Sequence, residues 1–526
     1  MSTLASANLS VGKGEHRMSL DAKSMSSTLE DDKILKELGY APSFKREFSN
    51  LATYYGVVFE CRYDLQHSSL TRRAGFSNLV LDLGIMYVSY PCIAEIVSAF
   101  PTCGGLYTAS AQLCPPKHRA VVGWIIGWLS VLAQIVGLSS SEFGLANMIW
   151  AAVVIGKDGD YAVTAGKTVG LCTALLIVHG LLNCLATKWL SRLTSGFVFV
   201  NIGTTLRALT FILILVPTLL IYAWYRLVII VTLLATTPRS EMHTASYVFG
   251  SEGIVNGTGG WNAGIAFLFG LLSVQWTMTQ DYDATAHISE EVRRAAYSAP
   301  SAIFIAVIGT GLLGWLLNIV MVLCSGPLEN LPGPSDSAFL EILVLRLGKP
   351  GALFLWSLVC LTAFFVCQTG LQAGSRTVYA FSRDNGLPDR GYFGQVSTRT
   401  KTPIRAIWFT TLFSILPGLL DLASPVAANA IFAMTAMAFD LSYIVPIFLR
   451  RVYQNHPEVN FKPGPFYMGD GMLGWVVNIN CILWTLFVSV LFSMPNYLPV
   501  DKNNMNYASL ITGGVVILSM VWYFLG

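Results

Sequence analysis

Residues 261–294, WNAGIAFLFGLLSVQWTMTQDYDATAHISEEVRR, decide how this chain is read. The first half is apolar enough to enter a bilayer. Without a loop signal it turns polar through Gln275, Trp276, Thr277, Thr279, Gln280, Asp281 and Asp283, and it ends in Glu290, Glu291, Arg293 and Arg294. A carboxylate near mid-bilayer costs about 3 kcal/mol on insertion scales, so it faces a cavity or a polar partner. A span that begins apolar and becomes polar partway has the pattern of a helix broken around a binding site. A helix that simply stops at Trp276, followed by a solvated acidic loop, fits the same letters.

Composition places the stretch in context. Hydrophobic residues make up 54% of 526 and charged residues 12%, with mean hydropathy +0.57. A soluble domain carries roughly 25% charge, so most of this surface faces lipid. A net charge of +3 without a basic face gives no case for nucleic acid. The ten cysteines are dispersed, mostly in apolar runs and without metal-ligand spacing, and read as packing residues. His287 and Glu291 stand four apart, but no third ligand or HExxH pattern accompanies them, so no metal is expected. Gly104-Gly105 and the GTGG at 257–260 lack the context of a phosphate loop and read as turns. No cofactor is implied. The seven histidines are scattered, which disfavours a membrane enzyme.

Outward from the deciding stretch, apolar runs of spanning length, about 20 residues each, lie near 79–100, 121–155, 168–190, 195–236, 261–282, 300–325, 351–382, 405–421, 426–449, 472–494 and 507–525. The fold class is therefore an all-α polytopic membrane protein, because barrel strands would be shorter and alternating. Basic residues set the orientation. Lys117 and Arg119, Lys188 and Arg192, Arg293 and Arg294, the Arg383–Arg405 loop, and Arg450, Arg451 and Lys462 fall on alternate loops and mark the cytosolic side. The opposite set holds the sequon Asn256-Gly-Thr258.

Three boundaries follow. Residues 1–50 are polar, of mixed charge, and read as a disordered cytosolic tail. The loop charges require a further span before 79–100, yet 51–78 carries Glu60, Arg62, Asp64, His67, Arg72 and Arg73 and cannot cross as written. The run 195–236 is twice the needed length, and 206–226 reads as an apolar insert within one helix.

Motifs then carry a family resemblance. IAEIVSAFPTCGGLYTASAQLCPPKHRAVVGWIIGW (93–128) resembles the second helix and following cytosolic segment of the amino acid–polyamine–organocation transporters. SRTVYAFSRDNGLPDRGYFGQVSTRTKTP (375–403) resembles their cytosolic segment after the eighth helix. DYDATAHISEEVRRA (281–295) most resembles the fungal amino-acid/choline branch, which includes GABA and choline permeases. Three motifs in order make a specific signal, covering 90–526.

The resemblance implies about 11–12 transmembrane helices: two inverted five-helix repeats plus two C-terminal helices, with the first and sixth helices unwound at mid-membrane. Here the sixth corresponds to 261–291 and the transporter core to 93–526. The first, within 51–92, departs from the pattern and is disrupted. The resemblance also implies proton coupling, a small zwitterionic or cationic substrate, and a plasma-membrane location ahead of a vacuolar one.

Within that frame the substrate candidates are Trp276, Thr277, Thr279, Asp281, Asp283 and Gln368. An indole can stack on an ammonium, and of two aspartates two apart on a helix one faces the cavity while the other caps the second half-helix. Gln368, like Gln134, equally fits an interhelical hydrogen bond. Glu290, Glu291, Arg293 and Arg294 read as an ion-pair cluster at the cytosolic end, with gating as the alternative. Glu95 reads as a contact to the cytosolic gate or a proton site. Finishing at Glu290, a crossing from Trp261 takes about 30 residues, long for one straight span and suited to two half-helices. A nutrient-sensing receptor of the same fold and a transport-inactive product of a flawed gene model remain alternatives to transport. The oligomeric state is open.

Overall fold

A computed structural model describes residues 28–46, 90–186, 189, 220–249, 260–266, 268–269, 283–327, 330–495, 497–502 and 505–525. Most of 51–92, most of the insert 206–226, the sequon, and Trp276, Thr277, Thr279 and Asp281 lie outside these residues. Among them the regular structure is helical, with no strand. Helix α1 spans 28–37. The spans and their companions are α2 (Tyr90–Ala99), α3 (Gly105–Gln112), α4 (Pro116–Gly156), α5 (Ala165–Asn183), α6 (Leu220–Thr236), α7 (Ala295–Cys324), α8 (Ala338–Arg383), α9 (Ile404–Leu420), α10 (Pro425–Val452), α11 (Met472–Ser493) and α12 (Ala508–Leu525). Seven of these helices are long and apolar enough to cross a membrane, and three shorter apolar ones accompany them.

Local sequence explains the ends. Pro116 at the first turn of α4 has no N–H to lose. Ser337 and Ser424 cap α8 and α10 by accepting from Leu340 N and Ala427 N. Within α8, Gly348 takes φ 68°, which breaks the helix, so the sequence run starting at 351 is a span with a separate helical stretch before it.

Helix α4 is the spine. At 41 residues it is about 60 Å long, twice the hydrocarbon thickness, and it lies against α3, α5, α8, α9, α10 and α12. Small residues permit the close approach. A Cβ on Gly127 would sit 2.2 Å from Phe381 Cε2, and one on Gly137 3.1 Å from Thr435 Cγ2. Phe381 fills the gap among Tyr107, Trp124 and Trp128.

The segments rich in basic residues share one face. Residues 40–46, the α2–α3 turn, the 289–294 turn and the end of α8 are linked there by hydrogen bonds, and the 461–470 loop bonds to Glu95 of α2. On the opposite face Lys349 meets Asp158, and Arg346 pairs with Glu241.

Candidate functional site

The deciding stretch resumes at Asp283 and becomes compact turns rather than a long half-helix: one α-turn, Ala284–His287, and one 3-10 turn, Ser289–Glu291. Asp283 occupies the N-cap position, but its carboxylate does not cap. Its Oδ1 accepts from the Tyr443 hydroxyl at 2.9 Å, and its Oδ2 lies 3.2 Å from His287 Nε2. His287 thus turns back to Asp283 rather than forward to Glu291. Its Nδ1 meets the Cys103 carbonyl at 3.0 Å. Gly105 makes room for the ring: at φ +55° a Cβ there would lie 2.9 Å from His287 Cε1.

The two glutamates reach to α8. Glu290 Oε1 accepts from Cys103 N at 3.1 Å and from Arg383 Nη1 at 3.1 Å. Glu291 Oε1 accepts from Arg376 Nε at 2.7 Å, with both side chains 0% exposed. Arg293 and Arg294 take no part in pairing with them. Arg293 Nε donates to Arg46 O, and Arg294 N donates to Asp31 at 2.6 Å. The expected cluster of Glu290, Glu291, Arg293 and Arg294 is therefore split. Its acids pair with arginines 85 and 93 residues away, because the turns point the acidic side chains inward, while the Arg293 side chain turns to the tail and that of Arg294 lies over Tyr297.

Residues 28–46 pack over this layer and give the tail a described structure that its composition did not suggest. Arg46 Nη1 donates to Ser289 O and Val292 O. Tyr40 and Tyr107 hydroxyls both donate to Asp384 Oδ2, Arg383 stacks on Tyr40 at 4.1 Å, and Phe44 meets Tyr379 edge-on. Burial pushes the Tyr40 phenol up, with the Asp384 carboxylate adding to it.

Glu95 is placed elsewhere on the same face. Its Oε2 accepts from Arg450 at 2.9 Å and its Oε1 from Met468 N at 3.2 Å, joining α2, α10 and the following loop. Gln368 lies on α8 two helical repeats before Arg376, with Gln372 between them, and all three are buried. Neither amide atom of Gln368 has a partner among the described residues. The same holds for Gln372 Nε2, Thr285 Oγ1, Ser289 Oγ, Glu291 Oε2, Arg376 Nη2 and Arg383 Nη2. Unspent donors and acceptors gathered in buried positions beside one ion-pair layer call for polar company.

Sequence reading missed Arg376 and Asp440. Both sit inside apolar runs, and an ionisable residue within a span was the available signal. Tyr443 and Asp384 carried no local mark, and Arg383 was marked only as a basic loop residue. No group of three or more His, Cys, Asp or Glu suited to a metal ion occurs among the described residues.

A polytopic helical bundle with buried charge layers at one face is the architecture of a membrane transporter. A protein-family model for amino acid permeases matches residues 74–517, and the chain belongs to that family. An amino-acid permease of Schizosaccharomyces pombe is 38% identical over 517 residues, spanning 94% of this chain and 88% of the relative. Amino-acid permease 2 of Neurospora crassa is 34% identical over 513 residues, spanning 95% and 88%. The GABA-specific permease of Saccharomyces cerevisiae is 29% identical over 543 residues, spanning 99% and 88%. Among solved structures, a manganese transporter of Eremococcus coleocola superposes with TM-score 0.53 at 13% identity, covering 91% of this chain and 94% of that one. That likeness is one of fold. The protein is thus an integral membrane transporter of amino-acid-like solutes, not an enzyme.

Proposed function

We propose that this permease moves small zwitterionic or cationic amines, such as amino acids, GABA or choline, by proton-coupled alternating access around 261–291. The observation that carries the reading is the layer just described. Glu290–Arg383 and Glu291–Arg376 join the turn after the deciding stretch to α8 on the basic, cytosolic face, and buried polar atoms on that layer remain unspent. Such a layer closes one side of a path and opens by separating its pairs. Trp276, Thr277, Thr279, Asp281, Asp283 and Gln368 serve the substrate. Glu290, Glu291 and Arg293 serve the gate, and Glu95 anchors α2 beside it. The plasma membrane is the first assignment and the vacuolar membrane the second.

Uptake of labelled amino acids, GABA and choline by cells producing the chain tests this. Saturable uptake of one or more, abolished by Asp283→Asn or Trp276→Ala at normal membrane abundance, supports the reading. Wild-type rates in both variants refute the site. No uptake of any solute, with uptake regained when 51–92 is replaced by an apolar helix from a relative, identifies a chain inactivated in its first span.

A further inference from the structure

His287 is asked to do something a neutral imidazole cannot. Both of its nitrogens face acceptors: Nδ1 the Cys103 carbonyl at 3.0 Å, and Nε2 the Asp283 carboxylate at 3.2 Å. A neutral ring carries one N–H and would present a lone pair to one of the two oxygens. Both contacts are satisfied only with one proton more than a neutral imidazole and a carboxylate hold together. That proton sits on the ring as imidazolium, or on Asp283 Oδ2 as a donor to Nε2. The count is the same in both arrangements. Each is 2% exposed, and the second carboxylate oxygen is already engaged by Tyr443.

The position of this proton matters more than its existence. His287 holds the carbonyl of Cys103 while Glu290 holds the Cys103 N–H, so one residue of the α2–α3 turn is clamped through both of its flanking peptides by the 283–291 turns. Tyr443 ties the same aspartate to α10. With the proton gone, one clamp faces acceptor to acceptor in a buried site, and a buried unsatisfied contact costs about 1–3 kcal/mol. The clamp then releases either the α2–α3 turn or Asp283.

We infer that Asp283 and His287 together form the proton-coupling site of this permease, and that the proton they share locks the cytosolic closure through Cys103. The inference rests on the proton-coupled reading above. Among the described residues, charged and titratable groups lie on each element around it. Glu290 and Glu291 lie on its own turns, and Cys103 and Tyr107 on the α2–α3 region. Tyr379, Arg376, Arg383 and Asp384 lie on α8, and Asp440 and Tyr443 on α10. Glu290 and Glu291 are each matched by an arginine. Those two acids are thereby balanced, and the proton shared by the pair is left as the variable.

Two measurements on the full chain test this. In proteoliposomes holding a pH dye, an external mixture of the proteinogenic amino acids and GABA is added, with one portion labelled. The wild type takes up protons with label. In His287→Gln and Asp283→Asn the ratio of protons to label falls about tenfold or more, whatever rate remains. An unchanged ratio in both variants overturns the inference while leaving the coupled reading intact. A wild type that moves label without protons overturns both.

Nitrogen-15 imidazole spectra supply the second readout, which needs no transport. The His287 signals, identified by their loss in His287→Gln, change with pH, either in ring protonation or in the hydrogen bond at Nε2, and Asp283→Asn alters that response. Signals that do not change with pH in either respect, or that Asp283→Asn leaves untouched, overturn the inference even where both variants are transport-dead.

Discussion

Replacing Arg376 by Met is the sharpest test of the closure. In the wild type Arg376 and Glu291 are both 0% exposed and 2.7 Å apart. Removing the cation leaves a carboxylate buried without its partner, and breaking such a pair costs about 3–5 kcal/mol. The pair joins the 289–291 turn to α8, so the cost falls on the closed arrangement and is relieved on opening. At about 1.4 kcal/mol per decade, the lower figure shifts the closed–open equilibrium by about 100-fold. Cys103 reports this directly. Its thiol is 0% exposed, and its backbone is clamped by Glu290 and His287. Alkylation by N-ethylmaleimide in native membranes, read at Cys103 by mass spectrometry, accelerates by about two decades in Arg376→Met if opening limits access. The double variant Arg376→Met/Glu291→Leu removes both charges and returns the rate most of the way, because an apolar pair of similar volume carries no stranded carboxylate. Wild-type alkylation of Cys103 in Arg376→Met would show that the pair does not hold the closure.

Three further outcomes are expected. Glu142 and His179 are each 0% exposed and bonded between α4 and α5, so Glu142→Ala, which leaves a buried imidazole nitrogen without that partner, costs about 1–3 kcal/mol, seen as a lower melting temperature of the purified protein in detergent. Gly127→Val drives a side chain into Phe381 and costs about 1–3 kcal/mol; Phe381→Leu in the same chain restores part of the melting temperature, and no rescue would mean the contact is not the cause. Docking of 28–46 weakens as pH rises. Burial pushes the Asp31 carboxyl up, against the opposing Arg294 backbone bond. Its contribution is therefore fully present below the usual carboxylate range and is lost as pH climbs through the raised value. Trypsin cleavage after Lys45 or Arg46 in short pulses, normalised to trypsin activity at each pH, quickens with pH across that window in the wild type and not in Asp31→Asn.

The identity of most spans was legible because lipid imposes a one-dimensional rule: about 20 apolar residues in a row, with basic residues gathered on alternate loops. Of those loops, the 289–294 turn meets the end of α8 on one face, with the 461–470 loop bonded to α2 there, while Lys188 and Arg192 lie outside the described residues. The deciding stretch was legible as the place where charge enters a span, and Asp283, Glu290 and Glu291 are buried there. Glu95 was legible as a carboxylate inside an apolar run that needs a polar partner, and Arg450 is that partner.

What spacing could not supply was the direction each side chain takes. His287 and Glu291 stand one helical repeat apart, yet the helix ends after His287, and Glu291 swings to Arg376 instead. Glu290 and Arg293 look like ready neighbours, yet a 3-10 turn followed by an extended residue at Val292 and a left-handed Arg294 sends them to opposite sides. The sequence alone determined that 261–294 brings carboxylates into a bilayer-sized span. Only tertiary structure decided their partners, because Arg376, Arg383 and Tyr443 lie 85, 93 and 160 residues away in sequence. A buried charge accepts whatever opposite charge or donor the packing delivers, and no local period encodes that delivery.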